Sequence, residues 1–304
     1  MNRTDISQSV SSPVVIAGCG YTGTRIAANS VSDGTTVIAL TASTRVPVQG
    51  VESLQCDLDL PQSKDVSAGD GACVIYLVPP PPEGTKDTRI RNFLSNTLAE
   101  VPRKFVLIST TGVYGDARGD WVCEDDPVNP QTDRARRRLD SELVVTDWAR
   151  QNSVDVVILR VGAIYGPGRV PVERLRRGVT LPPAGSSGFL NRVHVDDLTD
   201  VCMAAMSSDA EGIFNVTDGQ PLRMIEYMNL VAEIFDLPRV IESSSPSVPE
   251  LHSNSLRQYL SESRKVNNSR MLDELSVNLR YPTARQGLEA SFREMTRSGQ
   301  LHQD

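Results

Sequence analysis

A chain of 304 residues, 39% hydrophobic and 23% charged, has the size and apolar content for one large α/β core and a modest second lobe. A net charge of −7 excludes a general attraction to nucleic acid or anionic membrane and leaves small molecules as the expected partners. Five cysteines, odd in number and scattered through apolar runs, exclude a disulfide framework, and three dispersed histidines exclude a metal cluster. The first twelve residues are polar and Ser-rich, and no run approaches ~20 apolar residues. The expectation is a cytoplasmic protein with a floppy tail over residues 1–12, no metal and no membrane contact.

Residues 13–17 read as a buried strand that enters Gly18-Cys-Gly-Tyr-Thr-Gly23 and then an apolar helix reaching about Ser32. Gly18 suits the tight turn out of the strand, Gly20 lets the backbone approach a pyrophosphate, and Gly23 lets the helix pack close on the strand. The helix N-terminus, with Tyr21 and Thr22 in its first turn, offers N–H groups and a positive dipole end to phosphates. A glycine turn after a strand is also how many α/β proteins change direction. The strand before it and the helix after it favour dinucleotide binding.

Residues 34–41 form the expected second strand. An Asp or Glu at its end would bind a ribose 2′-hydroxyl; here the chain reads Thr41-Ala-Ser-Thr-Arg45, without an acid. A 2′-phosphate would not be repelled, so NADP is the expected cofactor, with NAD the alternative. Arg45 with Ser43 or Thr44 either holds that phosphate or is a solvated loop group. Residues 52–58 read as a third strand that brings Asp57 and Leu58 toward the adenine. Residues 72–78 are a strand buried on both faces, and its end at Val78 and Pro79 opens a rigid proline loop where the nicotinamide side would pass. A helix over 86–100 follows.

The strand 104–111 delivers the hydroxyls of Ser109 and Thr110 to the sheet edge where ligands bind in open parallel sheets. After Gly112-Val-Tyr-Gly-Asp116 and an acidic loop comes a helix over 132–150, then a strand over 154–160 leading into Gly162-Ala-Ile-Tyr-Gly-Pro-Gly168. This alternation predicts a doubly wound, Rossmann-type parallel sheet over 13–168. From 169 to 304 a mixed substrate lobe is expected, with elements near 189–217 returning to the main domain. Within it, residues 189–197 read as a strand followed by a helix capped by an Asp, 212–217 as a strand, 222–235 as an amphipathic helix, and 242–250 as a Ser/Pro-rich loop. The last helices are expected to form a small α-rich cap.

Six stretches match one family in the same order: Ile16-Ala-Gly-Cys-Gly-Tyr-Thr-Gly23, Cys56-Asp-Leu58, Ile108-Ser-Thr-Thr-Gly-Val-Tyr-Gly-Asp116, Leu159-Arg-Val-Gly-Ala-Ile-Tyr-Gly-Pro-Gly-Arg169, Val193-His-Val-Asp-Asp-Leu198 and Ile213-Phe-Asn-Val-Thr-Asp218. Together they resemble the extended short-chain dehydrogenase/reductases, the NAD(P)-dependent epimerase/dehydratase group, over nearly the whole chain. In that family a Ser/Thr on the strand and a Tyr-x-x-x-Lys on the next helix do the chemistry: the phenol moves a proton, and the lysine lowers its pKa and holds the nicotinamide ribose. Thr110 falls on the Ser/Thr position, with Ser109 beside it. Aligning Pro130 and Glu142 puts Arg134 where the Tyr belongs and Arg138 where the Lys belongs.

Arginine remains charged, so Arg134 is no proton shuttle, whereas Arg138 can keep the lysine's grip on ribose or phosphate. Both lie in Asp133-Arg-Ala-Arg-Arg-Arg-Leu-Asp-Ser-Glu142, whose spacing also reads as a solvated helix face laced by pairs four apart, such as Asp133 with Arg137 and Arg138 with Glu142. Asp87 is the resemblance's candidate for the site Asn, His194 is expected to be a structural hydrogen-bonding group, and Tyr114 and Tyr165 are the nearby candidate acids. The implied activity is that of an atypical NADP-dependent reductase or epimerase-like enzyme on a small polar or nucleotide-linked substrate. The other reading is a non-catalytic NADP(H) sensor or scaffold. Related folds often dimerise through the helices at 86–100 and 132–150.

Overall fold

The computed structural model describes residues 12–42, 46–60, 65–67, 69, 71–243 and 262–301. Seven parallel strands form the central sheet: β1 Val14–Ala17, β2 Val37–Thr41, β3 Val51–Gln55, β4 Cys73–Tyr76, β5 Lys104–Thr110, β6 Asp155–Val161 and β7 Gly212–Val216. Their spatial order is β7-β6-β5-β4-β1-β2-β3. Val14 is in register with both Val37 and Cys73, so the order turns back on either side of β1. The resulting crevice at the strands' C-terminal ends is where a doubly wound sheet takes a ligand.

Strand side chains alternate between two cores, as the period of two requires. Val14 and Ile16 enter one cluster, which α1 (Tyr21–Ser32) and α5 (Val195–Ser207) cover with Ile26, Ala27, Leu198 and Val201. Val15 and Ala17 enter the other, covered by Ile90 of α2 (Thr88–Asn92) and Val145 and Ala149 of α3 (Asp133–Asn152). A third cluster lies beneath α4 (Val172–Arg176), α6 (Met224–Ile234) and α8 (Ala284–Arg297), joining Leu175, Met228, Val231 and Leu288. Among the described residues no helix is long and apolar enough to cross a membrane.

Four local expectations are corrected. The helix expected over 86–100 is α-helical only over Thr88–Asn92, widens to a π-turn at Phe93–Thr97 and stops there, because Val66 bonds the backbone of Thr97 and Ala99. The helix expected from 222 begins at Met224, since Leu222–Arg223 pair antiparallel with Phe189–Leu190 and Glu226 accepts from the Arg223 N–H at 2.7 Å. His194, not an aspartate, caps α5: its Nδ1 accepts from the Asp196 N–H at 3.2 Å. Of the last helices, α8 packs on α6, but α7 (Ser269–Glu274) packs on β7 and sends Met271 into the main core, so they form no common cap. The Ser/Pro-rich stretch falls almost entirely outside the described residues.

Candidate functional site

The glycines of the first turn have three different surroundings. Gly18 stands at φ +89°, and a Cβ there would lie 2.8 Å from the Val78 backbone nitrogen, so the turn out of β1 is pressed against the end of β4. At Gly23 a Cβ would lie 2.9 Å from the Gly18 carbonyl oxygen, which fixes the helix against the strand. Gly20, the N-cap of α1, is unlike both: its φ is −95° and a Cβ would meet nothing within 4 Å. No neighbouring atom requires a glycine there. Beside it the first-turn N–H groups of Tyr21, Thr22 and Gly23 have no intrahelical acceptor to use.

The Tyr21 side chain is committed elsewhere. Its hydroxyl donates to the Pro167 carbonyl at 2.9 Å, and its ring lies under the guanidinium groups of Arg169 (4.1 Å) and Arg25 (4.5 Å). Tyr21 therefore ties α1 to the 166–169 segment, and only its backbone is left for a ligand. Thr22 is buried, and Thr41 ends β2 with its carbonyl accepting from Cys56. Ser43 and Arg45 lie outside the described residues. Asp57 is exposed just beyond β3, accepting from the Asp59 N–H at 3.0 Å, and Leu58 beside it is buried. The proline loop is clamped by Arg89, which donates to the Pro79 carbonyl at 2.9 Å and holds both carboxylate oxygens of Asp59.

At the end of β5, Ser109 and Thr110 face opposite ways. Thr110 is half-buried and its Oγ1 accepts from the Gly112 N–H at 3.2 Å, capping the turn Thr111–Tyr114. Ser109 is turned inward and donates to Glu142 of α3 at 2.5 Å. Glu142 is paired with Arg160 of β6 at 2.8 Å, and the Arg160 guanidinium lies 4.9 Å from the centroid of the Tyr114 ring. The Tyr114 hydroxyl donates to Asn215 Oδ1 at 2.8 Å, and Asn215 in turn donates its N–H to Glu124. Tyr114 is thus an interior group whose ionisation burial disfavours, not an acid in the crevice. Tyr165 is also buried, its hydroxyl beneath Gly287 with no partner among the described residues, and burial raises its pKa too.

Helix α3 places its arginines unequally. Arg138 donates from one nitrogen to the carbonyls of Val78 and Ile108, each at 3.2 Å, bridging the ends of β4 and β5. Burial lowers its pKa to about 10, so it is cationic at neutral pH. Arg134 is exposed, with no hydrogen bond or ion pair to a described residue. The helix-face pairs four apart do not form. Asp133 pairs with Arg136, Asp140 with Arg91 of α2, and Glu142 with Arg160, while Arg137 donates to the Gly84 carbonyl. Asp87 is buried and caps α2, accepting from the N–H groups of Arg89 and Ile90 and from the Ser141 hydroxyl at 2.6 Å.

His194 faces Ser291 at 3.1 Å through Nε2, and burial lowers its pKa to about 4. A neutral, fully engaged imidazole fits the expected structural role. Missing from the sequence reading was Asp218, after β7: burial raises its carboxyl to about 7, and its Oδ2 has no partner among the described residues. Its place after a hydrophobic strand was the available signal. Among the described residues no group of His, Cys, Asp and Glu is arranged to hold a metal ion.

The fold is a Rossmann-type doubly wound parallel sheet with a crevice at the point where the strand order turns back. The model of the NAD dependent epimerase/dehydratase family matches residues 88–217, and that stretch is similar to the family. A 3-diazoavenalumate denitrifying reductase of Streptomyces is 27% identical over 174 residues, covering 55% of each chain, so the chain spans about half the length of that relative. Protein YeeZ of Escherichia coli K12 is 26% identical over 291 residues, covering 88% of this chain and 96% of YeeZ. The structure of MoeE5 in complex with UDP-glucose and NAD superposes with a TM-score of 0.72 at 20% identity, covering 94% of this chain and 99% of that one. At that identity it speaks to the fold.

Proposed function

We propose that this protein binds NADP(H) in the crevice above β1 and β4 and acts as a slow reductase or epimerase-like enzyme on a small polar or nucleotide-linked substrate. Gly20 carries the reading: a Cβ there would strike nothing in the protein, so the open space beside it is explained by a non-protein group passing close to the helix N-terminus. A pyrophosphate is such a group. Gly18 to Gly23 would hold it, Arg138 would hold the ribose, and the bound nicotinamide would supply hydride transfer. Thr110 is the hydroxyl at the strand edge able to hydrogen-bond a substrate oxygen. Neither arginine at the tyrosine and lysine positions can move a proton, so the proton would come from Thr110 or water.

The preference for NADP rests on Thr41 to Arg45 lacking an acid. Arg45→Glu is expected to weaken NADPH binding more than NADH binding; equal losses would remove the preference. The sensor or scaffold reading is favoured by one observation, the burial of both tyrosines near the crevice. The deciding experiment measures melting temperature with NADPH, then follows nicotinamide absorbance over a panel of carbonyl compounds and nucleotide sugars. A ligand bound only by the folded chain raises the melting temperature by mass action. An absence of both shift and binding heat would overturn dinucleotide binding itself.

A further inference from the structure

Two short ribbons outside the main sheet meet at one aromatic ring. In the first, Trp121–Val122 pair parallel with Lys265–Val266, and Trp121 is in register with Lys265. In the second, Phe189–Leu190 pair antiparallel with Leu222–Arg223, and Phe189 is in register with Arg223. Register partners project from the same face of a ribbon, so each ribbon presents an aromatic ring beside a cation. The ribbons join where the Phe189 N–H donates to Ser263 Oγ, two residues before Lys265, at 3.1 Å. The Arg223 guanidinium then lies 4.5 Å, and the Lys265 ammonium 4.7 Å, from the Phe189 ring centroid.

Two like charges against one ring repel each other, and the ring's quadrupole offsets only part of that cost. Arg223 donates to the Ser187 carbonyl, yet neither cation has a carboxylate within 4 Å among the described residues. Trp121, the register partner of Lys265, is 54% exposed, an indole face left in water. A surface that holds two unneutralised cations beside a bare aromatic face suits a flat ring carrying an anionic group. The ring stacks on the indole, and the anion neutralises Lys265 and Arg223. We propose that Trp121, Phe189, Arg223 and Lys265 form a binding site for such a ligand, and that it receives the end of the substrate remote from the reacting carbon. Its assignment to the substrate rests on the dinucleotide reading above; the site itself does not.

The chain's two tryptophans make the test direct. In a Trp148→Phe background the emission reports Trp121 alone, and titrations are run without any dinucleotide, against benzoate and UDP as charged probes and benzamide and uridine as their neutral counterparts. Saturable quenching by a charged probe, at least tenfold tighter than by its neutral counterpart and weakened by added salt, is expected. Quenching by benzoate alone identifies an aryl carboxylate, and by UDP alone a nucleotide; either sustains the site. Lys265→Ala, which removes only a half-exposed chain end, is expected to cost roughly tenfold in affinity, and Lys265→Arg to keep it. Absent quenching by both charged probes, equal binding of the neutral ones, or an unchanged Lys265→Ala would overturn the proposal. Quenching in a protein that fails to bind NADPH would leave this site standing and remove the dinucleotide reading instead.

Discussion

Arg160 and Glu142 form a 2.8 Å ion pair with both side chains only 4% exposed, directly behind the strand end that carries Thr110. Ser109 adds a third member by donating to the same carboxylate, and Arg160 Nη1 already lacks a partner among the described residues. Removing the carboxylate would leave a buried cation uncompensated, a change that typically costs about 3–5 kcal/mol. Glu142→Ala is therefore expected to lower unfolding stability by that amount in urea denaturation, and Glu142→Gln by less, because the amide oxygen still accepts. A loss below about 1 kcal/mol for Glu142→Ala would mean that the pair contributes little beyond filling space.

The three glycines of the first turn make a second, comparative prediction. Gly18→Ala forces an L-residue to φ +89° and a Cβ onto the Val78 nitrogen, so it is expected to cost about 1–3 kcal/mol without any ligand present. Gly20→Asp meets open space and is expected to leave the ligand-free melting temperature nearly unchanged while abolishing its rise with NADPH. If Gly20→Asp destabilised the free protein as Gly18→Ala does, Gly20 would be a packing glycine and its argument for a ligand would fall.

Much of this architecture was legible in the chain. The strand readings at 13–17, 34–41, 52–58, 72–78, 104–111, 154–160 and 212–217 anticipated all seven strands of the sheet, and the spacing of Gly18, Gly20 and Gly23 anticipated the turn, since both are set by neighbours in sequence. Partners set by tertiary structure were not legible. The helical period pairs Arg138 with Glu142, yet Glu142 finds Arg160 on β6 and Arg138 finds the strand-end carbonyls of Val78 and Ile108, because each strand edge presents a nearer and less solvated partner. The ribbons at Trp121–Val122 and Leu222–Arg223 are two residues long, too short to show any period. Tyr114 and Tyr165 sit in motifs that border the crevice, but only packing reveals that both hydroxyls turn inward.

Asp218 supplies a pH prediction. Burial raises its carboxyl to about 7 in the folded chain, above the ordinary value of 3.8. Between those two values the folded state binds more protons than the unfolded one, so this group makes stability fall as pH rises through that window and level off above it. Asp218→Asn keeps an acceptor for the Gln220 N–H and cannot ionise. The variant is expected to gain on the wild type progressively from about pH 4 to 7 in thermal denaturation. A difference independent of pH would mean that the carboxylate is ionised in the fold at no cost.

The chemistry of the site turns on Arg134 and Arg138. Arg134 is an exposed cation at the start of α3, and Arg138 is a fixed cation between the ends of β4 and β5, so under the proposed reading two permanent charges stand at the positions of the phenol and the lysine. Loss of a positioned general acid costs about 10²- to 10⁴-fold in rate. Turnover of nucleotide sugars by the wild type, followed by nicotinamide absorbance and product analysis, is therefore expected to be slow or absent. Arg134→Tyr/Arg138→Lys is expected to raise it, because lysine beside a phenol lowers the phenol's pKa. Thr110→Ala is expected to reduce whatever activity either protein shows, since Thr110 is the hydroxyl left at the strand edge once Ser109 is tied to Glu142. Robust wild-type turnover that survived Thr110→Ala would place the chemistry away from this strand end. Activity appearing only in the doubly restored variant would identify a dinucleotide-binding protein whose catalytic pair has been exchanged for two permanent charges.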